Sequence, residues 1–243
     1  MNDKINIKKI IRWLSKIEFN YLAPTALTAR SLRKELKKTT KYVSGNLLDV
    51  GCGKRPYEDI FLPYVEKYTG VDIVDGPRVD IVADSAKGLP IDSQTYDTVI
   101  CTQMLEHTPY PRESVREIAR VIKTGGHLIL STPFIHKLHG EPYDYYRFSC
   151  HILKVILQEA KLEPLEIHNV GTSIAVLGRQ IGDIVYAFSD ISKNTLLRKI
   201  IRVICMPITA PIVWFFYILD CAVSRCRFLK CTVLGFVVIA KKT

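Results

Sequence analysis

The sequence predicts an α/β fold in which a mostly parallel sheet carries helices on both faces. Short runs rich in β-branched residues alternate with amphipathic segments between residues 46 and 170, and this alternation is typical of strand–helix–strand units. Hydrophobic residues make up 48% of the chain, which is enough for a buried core and excludes a disordered chain. We therefore expect a sheet-based core with appended helices.

The predicted elements begin with helices. Residues 5–19 place isoleucine and leucine at helical spacing, with lysine and arginine on the other face, which predicts a basic amphipathic helix. A second helix is predicted from about Pro24, a residue favoured in a first turn, to Lys38. The predicted strands lie at 46–50, 68–73, 79–83, 96–101, 127–132, 164–169 and 232–240, and the helices between them at 56–67, 111–123 and about 149–161.

This order predicts four regions: basic N-terminal helices (1–41), a sheet-based core (42–172), a hydrophobic helical insertion (173–231) and the final strand of the core (232–243). The formal net charge of +10 divides into +8 for residues 1–41, −5 for 42–197 and +7 for 198–243. An acidic core with basic ends predicts that the ends face an anionic surface. Solvated helix faces are the alternative.

The cysteine pattern predicts no metal site. Seven cysteines occur without a CxxC pair, and Cys221, Cys226 and Cys231 are five residues apart with no histidine nearby, which is poor spacing for metal ligands. Charged residues interrupt the first apolar residues, so no signal peptide is predicted. We expect free thiols in a reducing cytoplasm.

A glycine-containing turn follows the first predicted strand. In LLDVGCGKRPYEDI, Asp49 precedes Gly51 and Gly53, which permit a tight turn and a close approach of the backbone to a ligand. A dinucleotide site would need glycine where Pro56 stands. Asp72 ends the second predicted strand, where a carboxylate can accept hydrogen bonds from both ribose hydroxyls of a nucleoside.

The LLDVGCG run resembles the first motif of the class I S-adenosylmethionine (SAM) methyltransferases, although Arg55 stands where glycine is frequent. The resemblance continues in order through VADSAKGLPIDSQTYDTVICTQMLEH and LEHTPYPRESVREIARVIKTGGHLILSTP, and it covers about 46–170. It implies a Rossmann-like, seven-stranded, mostly parallel sheet, and SAM as the cofactor. The motifs are similar to the small-molecule branch of the family, including bacterial glycan- or lipid-associated enzymes and quinone-type enzymes.

The resemblance also implies roles for residues near the strand ends. Asp49 is expected to contact the methionine amino group, and Asp72 is expected to contact the ribose. Asp84 matches the acid that contacts adenine, with Ser85 or nearby backbone as the alternative. The expected cofactor-binding set is Asp49, Gly51, Gly53, Asp72, Ile73, Asp84, Ser85, Cys101 and Gln103. The cysteine in this set is expected to be a small wall residue rather than a nucleophile.

The segment FIHKLHGEPYDYYRFS, residues 134–149, follows the carboxyl end of the fifth predicted strand, where parallel sheets bind ligands. Methyl transfer needs an aligned acceptor, and a hydroxyl acceptor benefits from a general base. The candidate catalytic residues are His107, His136, His139, Glu141 and Asp144. In the alternative, Arg147 pairs with the aspartate and the aromatic residues pack the next helix. We expect the aromatic half to be structural and the His/Glu/Asp set to be functional.

We predict O-methylation of a glycan, glycolipid or other lipid-linked small acceptor at a membrane surface. A quinone or other prenylated aromatic ring is the alternative acceptor, because a hydrophobic insertion suits a lipid. Methylation of tRNA or rRNA is disfavoured, because amino-methylating nucleic-acid enzymes of this fold carry an Asn/Asp-Pro-Pro-aromatic motif where this chain reads CTQM. A SAM-binding membrane adaptor without catalysis stays open.

The insertion contains seventeen uncharged residues, VICMPITAPIVWFFYIL (203–219), between basic flanks. Spanning a bilayer takes about 20 residues, and Pro207 and Pro211 disfavour one straight helix. Because predicted strands on both sides return to one sheet, a single crossing is excluded. We expect a monotopic element that contacts anionic lipid through 5–19 and 198–228, on the cytoplasmic face of the cytoplasmic membrane. A hydrophobic lid or dimer surface is the alternative.

Overall fold

The computed structural model describes residues 24–190 and 194–243, and the helix predicted at 5–19 lies outside the described residues. The chain falls into two compact units. We call residues 33–170 and 234–243 the sheet unit, and residues 171–233 with the described residues up to Leu32 the helical unit. The predicted division into four regions stays a prediction.

The sheet unit contains seven strands. These are β1 (Asn46–Val50), β2 (Lys67–Asp72), β3 (Ile81–Val82), β4 (Tyr96–Thr102), β5 (Ile122–Pro133), β6 (Leu162–Val170) and β7 (Gly235–Lys242). Their order is β3-β2-β1-β4-β5-β7-β6. Strands β1 to β5 pair in parallel, and β7 is antiparallel to both β5 and β6. The predicted mostly parallel, Rossmann-like sheet is confirmed.

The strand order changes direction at β1, which places a ligand crevice. Strand β1 pairs with β2 on one side and with β4 on the other, and Val50 at its carboxyl end lies opposite Cys101 of β4. Because the loops after β1 and β4 diverge to opposite sides of the sheet, the crevice between them is where open α/β sheets bind ligands. The buried strands β1, β4, β5 and β7 hold the core beneath it.

The helices are α1 (Pro24–Lys38), α2 (Glu58–Phe61), α3 (Pro111–Val121), α4 (Cys150–Glu159), α5 (Ser173–Asp190) and α6 (Thr195–Val223). Helix α1 has the predicted bounds. The helix predicted at 56–67 was wrong in length, because α2 ends at Phe61 and a 3-10 turn at Leu62–Tyr64 follows. Pro63 in that turn has no N–H to continue an α-helix.

The strand bounds also differ from the sequence prediction. Strand β5 begins at Ile122 rather than at 127, since Tyr96 of β4 pairs with Ile122 before an irregularity in the register. Strand β3 is reduced to Ile81–Val82, and β7 begins at Gly235 and ends at Lys242.

The helical unit contains α5 and α6. The two helices pack closely at Gly178, where a Cβ would lie 2.3 Å from the Cβ of Phe216. Helix α6 continues through both Pro207 and Pro211, so the prolines do not end the helix. Across the described ranges, no helix combines the length and the apolar character needed to cross a membrane.

Candidate active site

The turn after β1 brings two glycines to the crevice. Gly51 and Gly53 have φ angles of 74° and 48°, in the left-handed region that favours glycine. A Cβ on Gly51 would lie 2.3 Å from Cγ of Met104, whereas a Cβ on Gly53 would meet nothing within 4 Å. Gly51 is therefore needed for packing against the segment after β4, and Gly53 borders open space that a ligand can approach.

Arg55 adopts the left-handed conformation of the glycine that is frequent at its position. Its φ is 53°, and its guanidinium forms ion pairs with Glu58 at 3.2 Å and with Asp80. Asp80 also accepts a hydrogen bond from the Gly70 N–H at 2.7 Å. These charge-assisted contacts hold the turn that glycine would form without strain.

Asp49 is buried at the carboxyl end of β1. The hydroxyl of Tyr68 donates to its Oδ2 at 2.6 Å, while Oδ1 has no hydrogen-bond partner in the part of the chain that the structure describes. Burial raises the pKa of Asp49 to about 7. An unpaired buried acceptor is costly, so this oxygen fits a ligand that brings a cationic donor such as an amino group.

Asp72 is held at the end of β2 by backbone donors. Its Oδ2 accepts from the Gly53 N–H at 2.9 Å and its Oδ1 from the Val74 N–H at 3.0 Å. The carboxylate therefore lies beside the glycine turn, and the following residue, Ile73, is exposed. This placement agrees with the predicted contact to a ribose.

The remaining predicted cofactor residues differ in whether their side chains are free to contact a ligand or are already used in packing and hydrogen bonds. Asp84 is partly exposed and accepts from the Ala86 N–H at 3.0 Å. Ser85 is buried and its hydroxyl donates to Ser114 Oγ at 3.1 Å, so this side chain is used in packing. Cys101 is fully buried, and burial raises the pKa of its thiol, which disfavours a nucleophilic role. Gln103, just after β4, donates from Nε2 to Ser131 Oγ at 3.3 Å.

Three of these features together fit SAM: the unpaired Asp49 oxygen for its amino group, the Asp72 carboxylate for its ribose, and the open space at Gly53 for its close approach to the backbone. The individual contacts stay predictions.

A second group of polar side chains lies in the 3-10 turn Leu105–His107, directly after β4, and in the loop after β5. Glu106 is fully buried, and neither carboxylate oxygen has a hydrogen-bond partner among the described residues. Nε2 of His107 and Nε2 of His139 each lie 3.9 Å from Glu106 Oε1. We call these three residues the Glu106 cluster.

The loop at 134–149 orients both imidazoles of the cluster. Nδ1 of His107 donates to the Tyr143 carbonyl at 2.7 Å, and Nδ1 of His139 lies 3.3 Å from both the Lys137 carbonyl and Asp144 Oδ2. Since Nδ1 is engaged in each ring, Nε2 is the atom that faces Glu106. The nearby Glu106 carboxylate raises the pKa of His139, against the effect of burial and with help from Asp144.

Gly140 makes room for this arrangement. It has a φ of 68°, and a Cβ there would lie 2.9 Å from Cε1 of His107. The loop is also tied to the turn after β4, because the Tyr145 N–H donates to the Glu106 carbonyl at 2.9 Å. The loop after β5 therefore lies against the turn after β4, as its position in the sequence predicts.

The other predicted catalytic residues differ in their suitability as bases. Arg147 binds Asp144 through two hydrogen bonds of 2.5 and 2.7 Å and lowers its pKa well below the usual range. The alternative pairing considered from the sequence is thus formed, and it makes Asp144 a poor proton acceptor. The ring of His136 lies 4.4 Å from that of His139, and Glu141 is exposed.

The aromatic half of the loop shows only part of the predicted packing, because Tyr145 and Tyr146 are exposed. Phe148 is buried and stacks against Tyr146, with ring centroids 5.2 Å apart. Glu106 was missed as a functional residue. The available signal was an acid directly before His107 in CTQMLEH, shortly after the carboxyl end of a predicted strand.

Comparison with known proteins assigns the family. Residues 21–161, more than half of the chain, match the methyltransferase domain family. The chain therefore belongs to the class I SAM-dependent methyltransferases, which confirms the predicted family and SAM as its cofactor.

Individual relatives cover the chain only in part. A protein of Proteus mirabilis named ubiquinone biosynthesis O-methyltransferase is 33% identical over an alignment of 100 residues, and the match covers 35% of this chain and 41% of the relative. A Xanthomonas euvesicatoria protein of the same name is 31% identical over an alignment of 125 residues, and the match covers 46% of this chain and 50% of the relative. The chain thus spans about half or less of the length of these curated relatives.

Solved structures share the fold. The 1,6-didemethyltoxoflavin-N1-methyltransferase of Burkholderia thailandensis, solved with S-adenosylhomocysteine, superposes with a TM-score of 0.53 at 14% identity, covering 100% of this chain and 92% of that one. The [4+2]-cyclase SpnF also has a TM-score of 0.53, at 20% identity, with 87% and 79% covered. The fold alone therefore does not select the reaction.

Proposed function

We propose that this chain is an O-methyltransferase that uses SAM to methylate a hydroxyl group of a lipid-linked small acceptor. The observation that carries the proposal is the Glu106 cluster, which combines a buried carboxylate with two oriented imidazoles in the turn after β4 and the loop after β5. The turn begins beside the glycine turn, since Met104 lies against Gly51. Groups able to take up a proton are thus close to the expected cofactor residues.

The cluster matches what methylation of a hydroxyl requires. SAM supplies a methyl group on a sulfonium: the acceptor oxygen forms a bond to the methyl carbon, the carbon–sulfur bond breaks with its electrons returning to sulfur, and the hydroxyl proton must leave. His107 and His139 have Nε2 atoms facing Glu106, so either imidazole can accept that proton while the buried carboxylate stabilises the resulting charge.

A hydroxylated, prenylated aromatic ring is the acceptor class we favour over a glycan. Both aligned relatives described above are named for ubiquinone biosynthesis, whereas the glycan prediction rested on a resemblance of sequence motifs. The exposed apolar residues of the helical unit also suit an acceptor that carries a lipid chain. Methylation of a glycan is the alternative that the labelling experiment below distinguishes.

The membrane surface is the proposed location of the reaction. Ile204, Ile208, Phe215 and Ile218 of α6 are all exposed, and their spacing places them on one helical face. Phe228 is 90% exposed just beyond α6. Arginines precede and follow this stretch in the sequence. An apolar face with basic flanks is typical of an element that lies in the interface of an anionic bilayer.

The acceptor is tested with purified full-length chain, SAM labelled on the methyl group, and separate organic-soluble, glycan and RNA fractions from bacterial cells. We expect label in the organic-soluble fraction, as an ether stable to mild alkali. Label in RNA or glycan would contradict the proposed acceptor, and SAM binding without transfer to any fraction would favour the adaptor. Asp72→Ala, with weakened SAM binding, serves as the control variant and should transfer less label at a limiting SAM concentration.

Membrane contact is tested by flotation with liposomes that contain anionic lipid. Replacing Ile208 and Phe215 by serine should abolish flotation, whereas Val155→Ser, an exposed apolar residue on α4 of the sheet unit, should leave it unchanged. Unchanged flotation of the double variant would refute the contact. A loss of dimers by light scattering, with flotation unchanged, would assign the face to a second copy of the chain.

A further inference from the structure

We infer that the Glu106 cluster is a binding site for one divalent transition-metal ion, with Glu106, His107 and His139 as ligands and a position left open for the acceptor oxygen. This inference rests on the proposed function for the identity of the acceptor, but not for metal binding itself. One carboxylate with two imidazoles is the ligand set of catalytic zinc sites, which keep an open coordination position.

The three ligand atoms already converge. One atom from each of Glu106, His107 and His139 lies within 4.8 Å of the other two. Tetrahedral bonds of about 2.0–2.1 Å to nitrogen and oxygen would place ligand atoms about 3.3–3.4 Å apart, so the side chains have to close in by roughly 1 Å on binding. The present separations of 3.9 Å from Glu106 Oε1 to each Nε2 are too long for hydrogen bonds.

The buried carboxylate supplies an independent argument. Glu106 is fully buried, yet neither of its oxygens has a hydrogen-bond partner in the described ranges. A buried carboxylate without close donors is unfavourable unless it is paired or coordinates a metal. The two imidazoles lie 3.9 Å from Glu106 Oε1, and Arg147 is engaged by Asp144. A divalent ion between these side chains would satisfy the carboxylate.

The surroundings of the imidazoles match those of metal ligands. A metal-binding histidine usually donates its other ring N–H to a carbonyl or a carboxylate, which fixes the tautomer and the ring orientation. His107 donates from Nδ1 to the Tyr143 carbonyl at 2.7 Å, and His139 has the Lys137 carbonyl and Asp144 Oδ2 at 3.3 Å from Nδ1. Both Nε2 atoms are thereby directed to the same point.

A metal at this point would serve the proposed reaction. A bound divalent ion polarises an oxygen ligand and lowers the pKa of a hydroxyl or water, so the acceptor oxygen would be held and would lose its proton more easily. With both Nε2 atoms as metal ligands, the imidazoles would no longer accept that proton, which would pass to solvent water. Imidazole ligands favour zinc, iron and related ions over magnesium, which prefers oxygen ligands. We therefore expect Zn²⁺ and Co²⁺ to bind more tightly than Mg²⁺.

The test titrates the metal-stripped, full-length chain with Co²⁺ and Zn²⁺ and follows SAM binding separately by calorimetry. We expect one Co²⁺ per chain, with the visible spectrum of nitrogen and oxygen ligands and no thiolate charge-transfer band, although exposed Cys226 and Cys231 are present. Glu106→Gln, His107→Asn and His139→Asn should each weaken binding by more than about 100-fold. His151→Asn, an exposed histidine on α4, is the matched control and should bind as wild type.

The outcomes separate this inference from the proposed function. Wild-type chain that binds SAM but neither metal, or variants that bind Co²⁺ as tightly as wild type, would overturn the metal site while the methyltransferase proposal stands. A thiolate-type spectrum would do the same. Metal binding with no SAM binding would support the site and contradict the proposed function. Should Glu106→Gln fail to fold, the two surface-accessible histidine variants keep the test decisive.

Discussion

The crevice has two sides that are built differently. The cofactor side consists of the turn at 49–53 and the end of β2, where neighbouring residues are fixed by backbone contacts such as the Gly53 N–H to Asp72 hydrogen bond at 2.9 Å. The acceptor side consists of the Glu106 cluster and the loop at 134–149, where the cluster's side chains come from two distant segments and meet at separations too long for hydrogen bonds. The cofactor side is therefore a local motif held by hydrogen bonds. On the acceptor side, side chains from distant segments converge without direct hydrogen bonds between Glu106 and the two imidazoles, and we expect a ligand to link them.

This difference indicates where sequence changes should act. Substitutions on the cofactor side should impair SAM binding and stability together, because the N–H groups of Gly51 and Cys52 in the turn donate to the Val71 carbonyl of β2. Substitutions on the acceptor side should change methyl transfer while SAM binding is kept. The following predictions test this separation, beginning with the largest expected effect.

Gly51→Ala should have the largest effect. A Cβ at this position would lie 2.3 Å from Met104 Cγ, and φ is 74°. Left-handed strain costs about 1–2 kcal/mol and overpacking about 1–3 kcal/mol, so we expect a large fall in the free energy of unfolding and no measurable SAM binding. Denaturant unfolding and calorimetry check both.

Two other glycines distinguish the effect of backbone strain from the loss of contact with the cofactor. Gly53 and Gly125 both have positive φ, and a Cβ added to either would meet open space, but Gly125 lies near the start of β5, away from the crevice. Both alanine variants should lose about 1–2 kcal/mol of stability, whereas only Gly53→Ala should weaken SAM binding. Equal SAM affinity for the two variants would remove Gly53 from the cofactor site.

Asp72→Ala should weaken SAM binding by roughly 10- to 100-fold with a smaller loss of stability, because hydrogen bonds to a charged group contribute about 1.5–3 kcal/mol. The variant also loses the acceptor of the Gly53 and Val74 N–H groups. Asp75→Ala is the matched control, since that carboxylate accepts from the adjacent Gly76 N–H and has no expected contact with the cofactor. Calorimetry that gives the same affinity for both variants would contradict the ribose contact.

The two sides also differ in how far the sequence predicts them. The positions of most strands and the glycine turn could be predicted, because β-branched runs and the DVGCG motif are local signals. The pairing of Asp144 with Arg147 was foreseen only as an alternative, since spacing alone does not show which partner a loop residue selects. Glu106 was not predicted as a site residue, because its convergence with His139 depends on the path of the loop after β5.

Gly140→Ala tests whether the acceptor side acts separately from the cofactor side. The new Cβ would lie 2.9 Å from Cε1 of His107, so the ring has to shift from its present position beside Glu106. We expect SAM affinity within about twofold of wild type and methyl transfer reduced about 10-fold, as for a misplaced catalytic group. Gly88 has a φ of 113°, and a Cβ there would lie no closer than 3.9 Å to any neighbouring atom. Gly88→Ala therefore controls for the backbone strain alone. Loss of SAM affinity in Gly140→Ala would contradict the claim that the acceptor side acts independently of the cofactor side.

The smallest effect is a pH dependence that arises at Asp49. Burial raises its pKa to about 7, above the unfolded value, so the folded chain holds an extra proton between about pH 4 and pH 7. The stability contributed by this group therefore falls as the pH rises from about 4 to about 7, and it is constant above the folded pKa.

The same group should make SAM binding depend on pH. If the cationic amino group of SAM pairs with ionised Asp49, binding must release the proton that the folded chain holds at this carboxyl group. Affinity should then rise about tenfold per pH unit below 7 and level off above it. Calorimetry at pH 6 in two buffers with different ionisation enthalpies should detect the release of about one proton per chain. Asp49→Asn should abolish this release, and the same release in the variant and in wild type would assign the proton to another group.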